Sequence, residues 1–240
     1  MDIDEIHSVI YFIRDYHGPE IYQTSDNHDV MILGQDPTID GKTRFAKVLG
    51  LGPSESSSGR ESPRLKNYIF NKILSPLGID RSRIIATNLV NAYYFDVPNS
   101  KIAPTYREVI IAAAKENGID VEKYPKNTNG AILHALNFTL GTSRYFEELL
   151  NLSSIKHLIT LGEPVFQVLR ERYELDLPAK IRAVLESLNE RPPIVHIGSK
   201  QISILPLPHI FTEGRQKWQF YNDFLRQGLI RLSKWYIEPY

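Results

Sequence analysis

The chemistry this sequence offers sits at the polar ends of three apolar runs. The first is Val30-Met31-Ile32-Leu33, which stops at Gly34-Gln35-Asp36-Pro37-Thr38. Such an ending sets an amide, a carboxylate and backbone N–H groups at the carboxyl end of a parallel strand, where open α/β sheets bind their ligands. The second run, Ile202-Ser203-Ile204-Leu205-Pro206-Leu207-Pro208, delivers the titratable His209. The third, from Arg83 to Asn91, carries Asn88 near its end. An Asn amide donates and accepts at once, which suits reading the edge of a heterocyclic base; the competing reading is an Asn that satisfies loop backbone. Asp36 and His209, drawn from distant segments, are the pair to which chemistry is assigned.

The elements that must position these residues follow from hydrophobic periodicity. An amphipathic helix is expected over residues 3–16, then a core strand over 30–34. Residues 38–61 read as a long irregular loop; its Ser/Gly portion, 54–60, is the candidate for disorder or a lid. Ser62-Pro63 starts a helix running to residue 76, with Leu65, Ile69, Phe70, Ile73 and Leu74 on one face, and Gly78 ends it. A second strand covers 83–91. A loop with Tyr93, Tyr94 and Phe95, a helix over 104–115 and an irregular excursion over 116–131 follow. A helix over 143–151 leads into a third strand, 155–161, which closes with Gly162-Glu163-Pro164 and a helix behind it. That unit lacks a phosphate-binding glycine pattern and reads as a structural crossover. Residues 174–193 are polar and Pro-containing. The last strand is 201–205, and a final helix spans about 216–235. Four strands alternating with helices imply a parallel sheet covered on both faces, in one domain spanning 1–240.

Composition bounds the answer. The 240 residues suit one α/β domain, and no Cys means no disulfide, thiol nucleophile, Cys-held zinc or iron–sulfur cluster. The N-terminus is acidic, without a basic signal-type region, and no stretch nears the ~18 apolar residues of a membrane span. A soluble, cytoplasmic protein with no membrane partner is the expectation. The net charge of +0 hides an asymmetry: nine acidic residues against Arg14 in residues 1–40, then nine basic against three acidic in 41–84. The basic segment can track a phosphate backbone or form a solvated, salt-bridged surface.

Placed together, these strand ends resemble the uracil-DNA glycosylase superfamily. Gly34-Gln35-Asp36-Pro37 is similar to that family's GQDP water-activating motif, and Thr87-Asn88 resembles its base-reading Asn. Leu158–Gly162 looks like its third strand, and Pro206-Leu207-Pro208-His209 like the approach to its catalytic His. The order fits residues 28–232. The resemblance implies a three-layer α/β/α fold with a central four-stranded parallel sheet, and hydrolysis of an N-glycosidic bond in DNA containing uracil or a damaged base. Asp36 would polarise a water and stabilise positive charge on the sugar, as carboxylates do in glycoside hydrolysis. A neutral His209 would donate to the departing pyrimidine, whose negative charge grows. Gln35 would line the pocket, Asn88 would read the base's N3–H and adjacent carbonyl, and Phe45 would stack on it. The base must first leave the helical stack. Just past His209, where the chain departs from the family, Phe211 is open to two readings, a wedge between bases or packing against the last helix, and Arg215 and Lys217 are placed to contact phosphate. No cofactor and no metal is called for, and a monomer is expected.

The pattern departs from the best-known branch in two places. Thr38 stands where that branch has a Tyr that blocks the thymine methyl, and Ile210-Phe211-Thr212 stands where Pro-Ser normally follows the His. These departures point to a rival reading, a member that binds nucleic acid or a nucleobase without cleaving it. A third reading, a nucleoside hydrolase, predicts a closed pocket without a basic rim.

Overall fold

A computed structural model describes residues 22–23, 25–34, 38–39, 46–47, 67–89, 145–152, 154–209 and 218–237. The apolar runs form the strands. β1 is Tyr22–Gln23, β2 Val30–Gly34, β3 Thr38–Ile39, β4 Ala46–Lys47, β5 Ile84–Asn88, β6 His157–Leu161, β7 Ile194–Ile197 and β8 Lys200–Leu207. Six of them make one mixed sheet in the order β1-β5-β2-β6-β8-β7. The contacts β5–β2, β2–β6 and β6–β8 are parallel, while β1 and β7 pair antiparallel at the two edges. The sheet is therefore wider than the four strands expected. β7 joins β8 through the two-residue turn Gly198-Ser199, which keeps the pair in register from Ile194↔Ser203 to Ile197↔Lys200.

Val30, Met31, Ile32 and Leu33 are all fully buried, so β2 is covered on both faces. That burial explains why its sequence is an unbroken apolar run rather than an alternating one. β7 shows the opposite pattern, alternating exposed and buried residues as an edge strand does. The helices supply the cover. α1 winds with π-type hydrogen bonding over Asn67–Leu74 and continues as α-helix over Ser75–Leu77. α2 is Tyr145–Leu152, α3 Glu163–Arg172 and α4 Ile181–Ser187. α5 runs through Gln219–Asp223, a π-type turn at Phe224–Gly228, and Leu229–Ile237. α1 packs on α5, and α3 and α4 pack on β6 and β8.

α4 falls in the stretch expected only to be polar. Ile181, Val184 and Leu185 give it a buried stripe, but seven residues are too few for the periodicity to stand out. The second strand begins one residue later than expected because Asp80 accepts from the Ser82 backbone N–H and winds Arg81–Arg83 into a 3₁₀ turn. The start of the expected 38–61 loop instead holds the antiparallel pair β3–β4. The helices expected at 3–16 and 104–115, residues 54–60, the aromatic loop at 92–103 and the excursion at 116–131 lie outside the described residues.

The amino ends of the parallel strands are tied by a polar cluster. Arg83 donates from Nε and Nη2 to the two carboxylate oxygens of Asp29, at 2.9 and 2.7 Å, and from Nη1 to the Tyr236 carbonyl at 2.7 Å. The Asp29 carbonyl accepts from the backbone of Lys156 and His157. His157 Nδ1 and Ser203 Oγ share a hydrogen bond of 2.7 Å, and the His157 ring lies 4.8 Å from that of Tyr236. One cluster thus joins β5, β2, β6, β8 and α5.

Candidate functional site at the carboxyl end of the sheet

Parallel pairing brings the carboxyl ends of β5, β2, β6 and β8 to one edge. There Asn88 closes β5, Gly34 closes β2, Gly162 follows β6, and His209 follows β8 by two residues. Asn88 lies directly beside Gly34 in register, and the Leu89 N–H donates to the Gly34 carbonyl at 2.7 Å. Asn88 and His209 thus flank the edge from strands three steps apart, a span of about 14 Å.

Asn88 is 1% exposed, and neither its Oδ1 nor its Nδ2 has a hydrogen-bond partner among the described residues. Leaving a buried donor and acceptor unmade costs on the order of 1–3 kcal/mol each, so folded proteins keep such groups rarely. The loop-satisfying role open to this Asn from sequence is not the one seen among the described residues. Thr160 Oγ1 is also without a partner there. It belongs to the opposite face, since Thr160 pairs with Leu33 whereas Asn88 pairs with the next residue, Gly34.

His209 is partly buried, and burial depresses its pKa from 6.5 to about 4. The imidazole is therefore neutral at pH 7, with one nitrogen a donor and the other an acceptor. Two contacts hold the chain that delivers it. The Gly162 N–H donates to the Leu207 carbonyl at 2.8 Å, and the Tyr68 hydroxyl donates to the Pro208 carbonyl at 2.5 Å. Gly162 has φ 97 and ψ 150, a region essentially reserved for glycine, and a Cβ there would lie 3.7 Å from the His209 Cβ. The β6–Gly162–α3 unit is a structural crossover, with Glu163 accepting from the Ile181 N–H at 3.4 Å and lying 3.7 Å from the Lys180 ammonium.

Of the residues proposed from sequence, Asn88 and His209 stand at this edge. Gln35, Asp36, Phe45, Phe211, Arg215 and Lys217 lie outside the described residues, as does the side chain of Thr38. Asp36 is two residues past Gly34 in the chain. Sequence reasoning missed Tyr68, which the helical pattern passed over in favour of its aliphatic neighbours. Among the described residues no group of three or more His, Asp or Glu is arranged to hold a metal ion, and no helix is long and apolar enough to cross a membrane. No protein-family model matches the chain, and no curated protein is significantly similar to it.

Proposed function

We propose that this chain is a uracil-DNA glycosylase-like enzyme that hydrolyses the N-glycosidic bond of uracil, or of a related damaged base, after flipping it out of DNA. The observation that carries the reading is Asn88. A buried amide with neither hydrogen-bonding atom paired among the described residues, at the ligand-binding end of a parallel sheet, suits a ligand that presents a donor and an acceptor side by side. The N3–H and adjacent O4 carbonyl of uracil form such an edge; cytosine presents its N4–H2 donor and N3 acceptor in the reversed order, so telling the two apart requires the amide to be held in one orientation. The neutral His209 across the same edge supports the second half of the reading, because a fixed N–H aimed at the departing base stabilises the negative charge that develops there. Asp36, two residues past the end of β2 in the chain, would supply the carboxylate that polarises water and offsets positive charge on the sugar. The proposal includes a three-layer α/β/α arrangement around β5, β2, β6 and β8, supported by the two-faced burial of β2.

The test is alkali-induced strand cleavage of uracil-containing single- and double-stranded DNA, with Asp36→Asn beside the wild type. Cleavage by the wild type, reduced at least about 100-fold in Asp36→Asn with base binding retained, is the expected outcome. Equal activity in the two proteins sinks the role of Asp36. Binding without release of uracil or other lesioned bases would replace this reading with that of a nucleobase-binding protein.

A further inference from the structure

The residue before His209 has an unusual anchor. β8 ends at Leu207, and Pro206 and Pro208 carry no N–H, so the exit of this strand cannot donate to its neighbours at those two positions. What holds it is a pair of consecutive carbonyls. Leu207 accepts from Gly162 on the neighbouring strand's exit, and Pro208 accepts from Tyr68 on α1, 140 residues away in sequence. Tyr68 is 1% exposed, so its phenol has no competing water on its surface and is fixed by core packing. Burial also pushes its pKa up, so the hydroxyl remains a donor throughout the working pH range.

We propose that Tyr68 is a positioning residue for His209. Through the Pro208 carbonyl its hydroxyl sets the height and direction at which the imidazole leaves the sheet. It touches no reacting atom; it fixes the peptide that carries the group which does. The consequence for turnover rests on the base-excision reading above, whereas the consequence for the imidazole does not.

The experiment uses the full chain labelled with ¹⁵N-histidine, comparing wild type, Tyr68→Phe and Ile73→Val. Tyr68→Phe keeps the ring and deletes only the donor, while Ile73→Val loosens the packing of the same helix and keeps the Tyr68 hydroxyl. His209→Gln assigns the resonance. The His209 ring signals are expected to shift in Tyr68→Phe, and the pKa to move up from about 4 toward 6.5, with both unchanged in Ile73→Val. On uracil-containing DNA, Tyr68→Phe is expected to lower kcat on the order of 10- to 100-fold with little change in KM, as displacement of a positioned group does. Unmoved His209 signals in Tyr68→Phe, or equal movement in Ile73→Val, overturn the proposal even if excision is lost. Absent excision in the wild type with the expected His209 shift overturns the functional reading and leaves the positioning role standing.

Discussion

On the base-excision reading, Asn88 sets stability against use at a single residue. Leu has the same branching as Asn with methyls in place of the amide atoms. Asn88→Leu therefore removes two buried polar groups that are unpaired among the described residues and adds apolar contact in a fully buried site. Its expected effect is a gain on the order of 1–3 kcal/mol in urea unfolding, with base recognition abolished. A loss of stability would show that the amide has a structural partner. This is the trade expected at a binding site, where a polar group is kept ready for a ligand rather than satisfied by the fold. The two residues that bring this site into view, Asn88 and His209, were legible in sequence because each ends an apolar run abruptly. Tyr68 was not, since nothing local distinguishes an aromatic that packs from one whose hydroxyl reaches a carbonyl 140 residues on.

At the level of elements, the turn from β6 into α3 depends on one backbone conformation. Gly162→Ala meets no steric obstacle nearer than 3.7 Å, so its cost is conformational, on the order of 1–3 kcal/mol by chemical denaturation. Because the Gly162 N–H also holds the Leu207 carbonyl, the same variant should disturb the His209 resonances. At the other end of β6, His157 is 2% exposed. Burial drives its pKa to about 4 despite the nearby Asp29 carboxylate, which pulls the other way. Its depressed value means that the unfolded chain takes up the proton first as pH falls below 6.5. Stability is then expected to be full above that pH and to fall progressively down to about pH 4, by about 3 kcal/mol from this group, with His209 contributing in the same window and direction. His157→Gln should flatten the dependence of the urea midpoint on pH over this range; an unchanged slope would rule the group out as its source. Asp29 adds to the loss only at lower pH. Burial raises its pKa, but hydrogen bonds and charge from Arg83 outweigh it and leave the value below 3.8, so that pairing is given up as the pH drops past it.

The legibility of the elements follows the same physics. β2, β5, β6 and most of β8 were readable because strands buried on both faces must be apolar throughout. β7 escaped because an edge strand needs only every second residue buried, and Pro192-Pro193 just before it reads as loop. β1 escaped because it is two residues long, so its place is set by pairing with β5 and not by its own pattern.

Across the whole molecule the charges cancel, so any attraction to DNA must come from their distribution and not from their sum. If the base-excision reading holds, binding of uracil-containing DNA weakens with salt, the slope of log K against log salt falling by about 0.9 for each phosphate neutralised. Arg215→Ala and Lys217→Ala should each reduce that slope by about one contact while leaving excision of a free deoxyuridine-type substrate unaffected. A salt-independent affinity would favour a small-molecule substrate instead.

The order of strands in space is not their order in the chain. β2 precedes both of its parallel partners, which begin 50 and 123 residues after its own last residue. Its far neighbour β6 is in turn covered by β8, and Arg83 closes on the Tyr236 carbonyl only when the last helix arrives. During synthesis on the ribosome, then, β2 emerges before either of its parallel partners and waits with both edges open. Contacts of such sequence separation make for slow folding. β2 is fully buried and paired on both sides, so its amides are expected to be among the most protected of the described residues in hydrogen exchange.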